Sequence, residues 1–162
     1  MLVNFIKHGI SLIDRVFYRF LLKKCGHNFR VGPGVLIKNP SVIEIGNNFF
    51  SGPNFYLSTN RDCSVVIGDD VMVGPNVMVL GGNHNITLTA QPMNTLRPRS
   101  ADNLGIVIEN NVWLGAGVII LDGARISSGS VIAAGAVVVG EVPKNSVYGG
   151  VPAKFIKFRT PE

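Results

Sequence analysis

Aliphatic side chains recur every sixth residue over much of this chain. Ile67-Gly68-Asp69-Asp70-Val71-Met72 is followed by Val73-Gly74-Pro75-Asn76-Val77-Met78. Ile108-Glu109-Asn110-Asn111-Val112-Trp113 is followed by Leu114-Gly115-Ala116-Gly117-Val118-Ile119. The aliphatic position then holds register at Ile120, Ile126, Ile132 and Val138, and the fifth position reads Val112, Val118, Ala124, Ser130, Ala136 and Val142. A weaker series runs through Val31-Gly32-Pro33-Gly34-Val35, Ile45-Gly46-Asn47-Asn48-Phe49 and Ser51-Gly52-Pro53-Asn54-Phe55.

An α-helix turns every ~3.6 residues and cannot carry this period, and Gly-Pro, Gly-Asp and Gly-Asn steps would break it. One continuous strand is excluded by the same breaks. The pattern predicts a short strand, a turn and another short strand, repeated. One aliphatic side chain per unit enters a narrow core, and a small residue sits where the chain bends. Gly, Asn and Asp suit such turns because they tolerate positive φ. Stacked units of this kind make a parallel β-solenoid, in which each coil buries its face on its neighbours.

Two segments depart from the repeat. After Leu80 the register fails until Ile106, and the run GGNHNITLTAQPMNTLRPRSADNLG over 81–105 shows neither strand alternation nor a helical face. Loops of this length inside a compact domain are functional or disordered. His84 stands at its start. The other departure is N-terminal. Leu2, Phe5, Ile6, Ile10, Ile13, Phe17, Phe20 and Leu21 fall at three- and four-residue steps and predict an amphipathic helix over 1–25. Such a helix serves either as a cap on the open end of the solenoid or, with Lys7, Arg15, Arg19, Lys23 and Lys24 against Asp14, as a contact with a membrane surface through 1–24. The interrupting charges exclude a membrane span, and no signal-peptide pattern is present.

Composition narrows the function. Of 162 residues 46% are hydrophobic and 15% charged, enough for one domain with a full core. The formal charge of +5 suits a phosphorylated ligand or an anionic surface. No Lys/Arg stripe alternates with aromatics, so nucleic acid is not the expected partner. Cys25 and Cys63 form neither a CxxC pair nor a metal cluster, in keeping with a reducing cytoplasm. A zinc centre built from three histidines is not expected, because only His84 lies in the right region and His8 and His27 lie elsewhere.

The pattern aliphatic-Gly-x-x-small-x over residues 26 to 157 resembles the hexapeptide-repeat acyltransferases. That resemblance implies an all-β fold, a left-handed parallel β-helix of triangular section with three hexapeptides per coil. Left-handedness comes from the resemblance alone, since parallel crossovers are normally right-handed. The expected organisation is the helix over 1–25, then a β-helix domain over 26–162 with a protruding loop at 81–105 and a closing segment at 143–162. GGNHNIT, followed by the loop and by IVIENNVWLGAGVII, is similar to the maltose and galactoside O-acetyltransferase branch.

That branch implies roles for individual residues. His84 becomes the general base that accepts the proton of a sugar hydroxyl as it attacks the thioester of acetyl-CoA, work suited to an imidazole. Asn54 and Asn83 are placed with the acceptor sugar, although Asn54 also reads as a turn residue. Trp113, in VWLG, lines the acceptor site or simply packs on the coil. Ala116 and Ala134 match turns that let the pantetheine arm approach the backbone. Lys154 and Lys157, in SVYGGVPAKFIKFR, match basic positions used against the CoA phosphates, without the bidentate fork of arginine. No metal is implied. The resemblance further implies a homotrimer with sites between subunits. The N-terminal segment departs from the maltose-type enzymes and is more like transferases that decorate lipopolysaccharide, capsule or exopolysaccharide precursors. The expected acceptor is therefore a hydroxyl of a surface polysaccharide or its precursor, with the enzyme in the cytoplasm at the inner membrane face and Arg97 and Arg99 meeting an acidic glycan. An antibiotic hydroxyl is the alternative acceptor, and a non-catalytic solenoid is the alternative to an enzyme.

Overall fold

The computed structural model describes residues 16–160. Its strands form three sheets of six, seven and five strands, visited in turn by the chain. Within each sheet the neighbours are parallel and in register, except for the antiparallel pair that ends the second sheet. Val65, Val66 and Ile67 pair with Ile106, Val107 and Ile108, Met72 and Val73 with Trp113 and Leu114, and Met78, Val79 and Leu80 with Ile119, Ile120 and Leu121. The result is a parallel β-helix of triangular section, as the six-residue period predicts.

Two of its corners are uniform. Four residues separate the strands at every turn of the second corner, and at every turn of the first except the last, as between Ile67 and Met72 and between Val73 and Met78. The left-handed residue of the first corner is Asn28, Asn48, Asp70, Asn111, Gly129 and Asn145 in successive coils. At the second corner it is Gly34, Asn54, Asn76, Gly117 and Gly135. These are the residue types that occupy that region at low cost. Their amides stack as ladders: Asn28 Nδ2 donates to Asn48 Oδ1 at 3.1 Å, Asn48 Nδ2 to Asp70 Oδ1 at 2.8 Å, and Asn54 Nδ2 to Asn76 Oδ1 at 3.0 Å.

The third corner, from third sheet to first, is irregular. Its turns run from Ile37 to Ile43, Ser58 to Val65, Leu80 to Ile106, Leu121 to Arg125 and Val138 to Glu141. Every lengthened turn of the solenoid is there, the loop at 81–105 included.

The interior is a continuous apolar column, with Ile43, Ile45, Ile67, Ile108, Leu114, Ile120 and Ile126 almost wholly buried. Burying a side chain of this size contributes about 1.5–3 kcal/mol. The column tapers. First-corner positions are filled by Phe29 and Phe49, then Val71 and Val112, then Ser130 and Ser146. Phe29 stacks on Phe49 at 5.6 Å between ring centroids. The buried hydroxyls of Ser130 and Ser146 both donate to the Pro143 carbonyl.

The wide end is covered by residues 16–21, which are helical. Tyr18 and Leu22 are buried against the first coil, and the backbone N–H of Ile37 donates to the Tyr18 hydroxyl at 3.1 Å. This part of the expected N-terminal helix caps the solenoid; residues 1–15 of it lie outside the described residues. At the narrow end Ser146–Gly149 turns back as Lys154–Phe158, an antiparallel pair that closes the second sheet.

At the glycine that opens several turns of the uniform corners, successive coils are packed too closely to admit a side chain. A Cβ on Gly115 would sit 2.6 Å from Ala134 N and 2.9 Å from Ile132 O, whereas one on Gly140 would meet nothing within 4 Å. Gly115→Ala is expected to lower stability by about 1–3 kcal/mol and Gly140→Ala to leave it unchanged or slightly raised. Chemical denaturation of the two variants beside the parent checks the contrast.

Candidate active site

The loop leaves after Met78–Leu80 and rejoins at Ile106–Ile108. Gly82 and Gly105, both at positive φ, turn the chain out and back. Between them the loop is irregular but not featureless. It contains 3₁₀ turns at Met93–Thr95 and Ser100–Asp102, which hydropathy did not predict because neither has an apolar face to bury. Asn85 Nδ2 donates to Arg97 O at 3.2 Å across the loop. Arg99 makes a fork-like pair with Asp102, Nη2 to Oδ1 at 2.8 Å and Nε to Oδ2 at 3.2 Å. Hydrogen bonding to Arg99 lowers the Asp102 pKa. Arg99 is thus paired inside the loop while its side chain stays 58% exposed.

Both ends of the loop converge on Asp122, which lies one coil further on. Its Oδ2 accepts from Asn83 Nδ2 at 3.1 Å and from the Leu104 N–H at 2.8 Å. Its Oδ1 accepts from the Gly105 N–H at 3.0 Å and from Cys63 Sγ at 2.9 Å. Burial alone would raise the carboxyl pKa, but hydrogen bonds from Cys63, Leu104, Gly82 and Gly105 outweigh it and hold the group below its ordinary value. Burial and the hydrogen bond to Asp122 push the Cys63 thiol up, so it is a structural donor and not a nucleophile. Beside this neck Asn60 Nδ2 donates to Asn103 Oδ1 at 2.7 Å.

His84 projects from this neck. It is exposed, and among the described residues no side chain hydrogen-bonds its imidazole. It opens on a cleft of about 540 Å³ lined by Asn83, Ile86, Met93, Asp102 and Leu104. The imidazole is free to meet a hydroxyl, and the apolar wall leaves room for an organic ligand. Among the described residues no three His, Cys, Asp or Glu side chains gather as a metal site.

The remaining expected site residues do not gather at His84 within one protomer. Asn54 stands at the second corner with φ 57°, its amide engaged with Asn76. The third-sheet strand Tyr56–Ser58 separates it from the third corner, a side of roughly 15 Å at the usual strand rise. Ala116 and Ala134 lie at the second corner too, and the Gly135 N–H donates to Ala116 O at 2.9 Å. Trp113 faces outward on the second sheet, 51% exposed, between Met72 and Val131. Lys154 and Lys157 are exposed on the closing strand Lys154–Phe158. Asn83 is at the cleft, but it also ties the neck to Asp122. Sequence reasoning missed Asp122, Cys63, Asn60 and Asn103. The available signal was the unit Ile120-Leu121-Asp122-Gly123-Ala124-Arg125, which puts Leu where the repeat has Gly and a carboxylate beside the bend.

A solenoid of this register, interrupted once at a histidine, defines a class: the hexapeptide-repeat transferases. Residues 105–140 match the family model for bacterial transferase hexapeptide (six repeats). The galactoside O-acetyltransferase of Escherichia coli (strain K12) is 37% identical over 149 residues, 91% of this chain. The chain spans just under two thirds of that enzyme's length, 66%. A protein of the same organism named for O-acetyl transfer in lipopolysaccharide biosynthesis, WbbJ, is 33% identical over 90% of this chain and 83% of its own length. The solved structure of a hexapeptide-repeat acetyltransferase from Vibrio cholerae O1 biovar eltor, complexed with acetyl-CoA, superposes with a TM-score of 0.78 at 27% identity, covering 98% of this chain and 85% of that one. The chain belongs to the hexapeptide-repeat acetyltransferase family, and its solenoid is the left-handed β-helix of that family.

The depressed Asp122 pKa has a pH consequence. A carboxyl whose folded pKa lies below its unfolded value of about 3.9 contributes stability that is fully present above that value. The contribution is lost as pH falls through the folded pKa. The stability gap between the parent and Asp122→Asn is therefore expected to be constant above about pH 5 and to shrink towards pH 2. Urea unfolding midpoints of both proteins across that range check it; a gap independent of pH would show that the fold does not favour the ionised form.

Proposed function

We propose that this protein transfers an acetyl group from acetyl-CoA to a carbohydrate hydroxyl, with His84 as general base. The observation that carries the reading is the position of His84: exposed, beside an open cleft, at the neck of the one long interruption in the repeat. The acetyl-CoA complex of the Vibrio relative supports the donor, and the names of the E. coli relatives support a sugar acceptor.

The chemistry follows from a ternary complex. The acceptor hydroxyl oxygen attacks the thioester carbonyl carbon while the His84 imidazole takes the hydroxyl proton. A tetrahedral intermediate forms with charge on the former carbonyl oxygen. It collapses with cleavage of the carbon–sulfur bond, and the imidazolium returns the proton to the departing sulfur. The products are an acetyl ester and free CoA. No acyl-enzyme is needed, so no nucleophilic side chain is required.

Two further features belong to the same reading. The site is shared between copies of a homotrimer. This is supported by the separation of His84 from Asn54, Trp113, Ala116 and Ala134 within one protomer, and by an outward apolar row on the second sheet. Phe50, Met72 and Trp113 are 42%, 53% and 51% exposed and in register, a surface of the kind that self-association covers. The acceptor is a surface-polysaccharide precursor. The match to WbbJ supports that class. So does the outer side of the N-terminal cap, where Phe17 and Phe20 are 57% and 82% exposed near Arg19, Lys23 and Lys24, a combination that suits an anionic membrane face. Among the described residues no helix is long and apolar enough to cross a membrane.

His84→Ala is expected to lower kcat by roughly 10²–10⁴-fold, the usual worth of a general base, with acetyl-CoA affinity retained. Release of free CoA in the presence of surface-glycan acceptors, beside calorimetric binding of acetyl-CoA, tests this. Near-parental turnover by the variant would remove the base assignment. Cosedimentation with vesicles containing anionic lipid is expected to fall on replacing Phe17 and Phe20 by Ser while solution turnover is unchanged; equal binding by the variant would remove the membrane assignment.

A further inference from the structure

We propose that Asp122 is the positioning residue for His84, a clamp that closes the neck of the loop and fixes where the base stands. The proposal rests on the reading of His84 as base, and its structural half can be tested without that reading.

The loop is ejected from a corner where three successive coils must still stack. Cys63 belongs to the turn of the coil before the loop and Asp122 to the turn of the coil after it. One carboxylate spans the gap. It holds Cys63 Sγ at 2.9 Å on one side and both ends of the loop, Asn83 Nδ2 at 3.1 Å, Leu104 N at 2.8 Å and Gly105 N at 3.0 Å, on the other. All four partners are donors, so the group must be an ionised acceptor with both oxygens in use. Hydrogen bonds to a charged acceptor are stronger and more directional than neutral ones.

The imidazole has no such anchor of its own among the described residues. His84 is flanked by two anchored amides, Asn83 on Asp122 and Asn85 on the Arg97 carbonyl, and of the two only Asn83 ties it to the solenoid. The neck is also sterically tight. A Cβ on Gly82 would lie within contact of Asn60 Nδ2, and one on Gly123 would lie 2.9 Å from Leu104 Cδ1. The clamp therefore sets the direction in which His84 leaves the solenoid. Misplacing a catalytic group by an ångström costs on the order of 10²-fold. Asp122 itself does not line the cleft beside His84; it acts through the loop.

Asp122→Asn tests this, because it preserves shape while turning one of the two acceptor groups into a donor that faces N–H groups. Three results are expected. Hydrogen–deuterium exchange rises at residues 82–86 and 103–105 and stays unchanged in the coils beyond Arg125. In the parental background kcat falls roughly 10- to 100-fold with little change in KM for acetyl-CoA. In a His84→Ala background the same change costs less than about twofold, since residues acting through one another are non-additive. Unchanged exchange at the neck overturns the clamp. An equal loss of activity in both backgrounds overturns action through His84. If His84→Ala alone retains parental activity, the base reading fails and the exchange result still decides the clamp. Should Asp122→Asn not fold, Asn83→Ala removes one arm at an exposed position and is read the same way, with local exchange and kcat both unmoved as the result that overturns the proposal.

Discussion

Everything in this molecule depends on the close approach of successive coils at two of the three corners. At the first corner a Cβ on Gly68 would lie 2.9 Å from the Glu109 carbonyl carbon, and at the second a Cβ on Gly52 would lie 2.8 Å from Pro75 N. Backbone is packed on backbone there, and along Asn28, Asn48 and Asp70 and between Asn54 and Asn76 the left-handed residue is bonded to its counterpart in the next coil. An inserted residue would break the ladder and shift all later side chains between core and solvent. Growth is permitted only where that packing is absent, which is the third corner. The enlarged turns at 38–42 and 59–64 and the loop at 81–105 all lie there. The location of the loop and its cleft thus follows from the steric rule that makes the scaffold.

That rule also explains the division of labour between repeat and loop. The solenoid holds side chains in fixed rows but offers flat faces and filled corners, with little concavity for a ligand. The loop supplies concavity at the cost of order, since a segment of this length gains nothing from the in-register ladder. Local pairs recover part of that cost. Arg99 with Asp102, and Asn85 with Arg97, stiffen the loop from inside, and Asp122 secures it at the base. Exposed pairs of this kind contribute little to global stability; their effect is to restrict the conformations open to the cleft.

The solenoid, the loop boundaries and His84 were legible in the sequence because each is a statement about period. Six-residue spacing fixes the coil, its failure after Leu80 marks the loop, and the histidine stands at the break. Asn54 was legible only as an ambiguity between turn and site, and its φ and its bond to Asn76 show the turn role to be real. Asp122 was not legible. Its partners Cys63 and Asn83 are 59 and 39 residues away, so the departure of Leu121-Asp122 from the repeat marks an irregular bend without showing what the carboxylate holds. The Arg99 pair was missed for the opposite reason. Its partner Asp102 is three residues on, a spacing visible in the sequence, but the loop hides whether such neighbours turn towards each other.

The geometry of a triangular prism sets what one chain can present to a ligand. Its sides are roughly 15 Å long at the usual strand rise, so groups on different corners of one chain do not meet at a compact ligand. Asn54, Ala116 and Ala134 occupy one corner and His84 the next, with the third sheet between them. A second prism laid alongside places its own corner against that sheet and turns a flat face into one wall of a groove. If the neighbouring prism turns its second sheet inward, its exposed row of Phe50, Met72 and Trp113 would give that contact apolar area to bury, and area of this kind is favourable at about 25 cal/mol per Å² before the costs of association. In this arrangement catalysis and assembly would be one property, because the cleft beside His84 would gain its far wall only when the subunits meet.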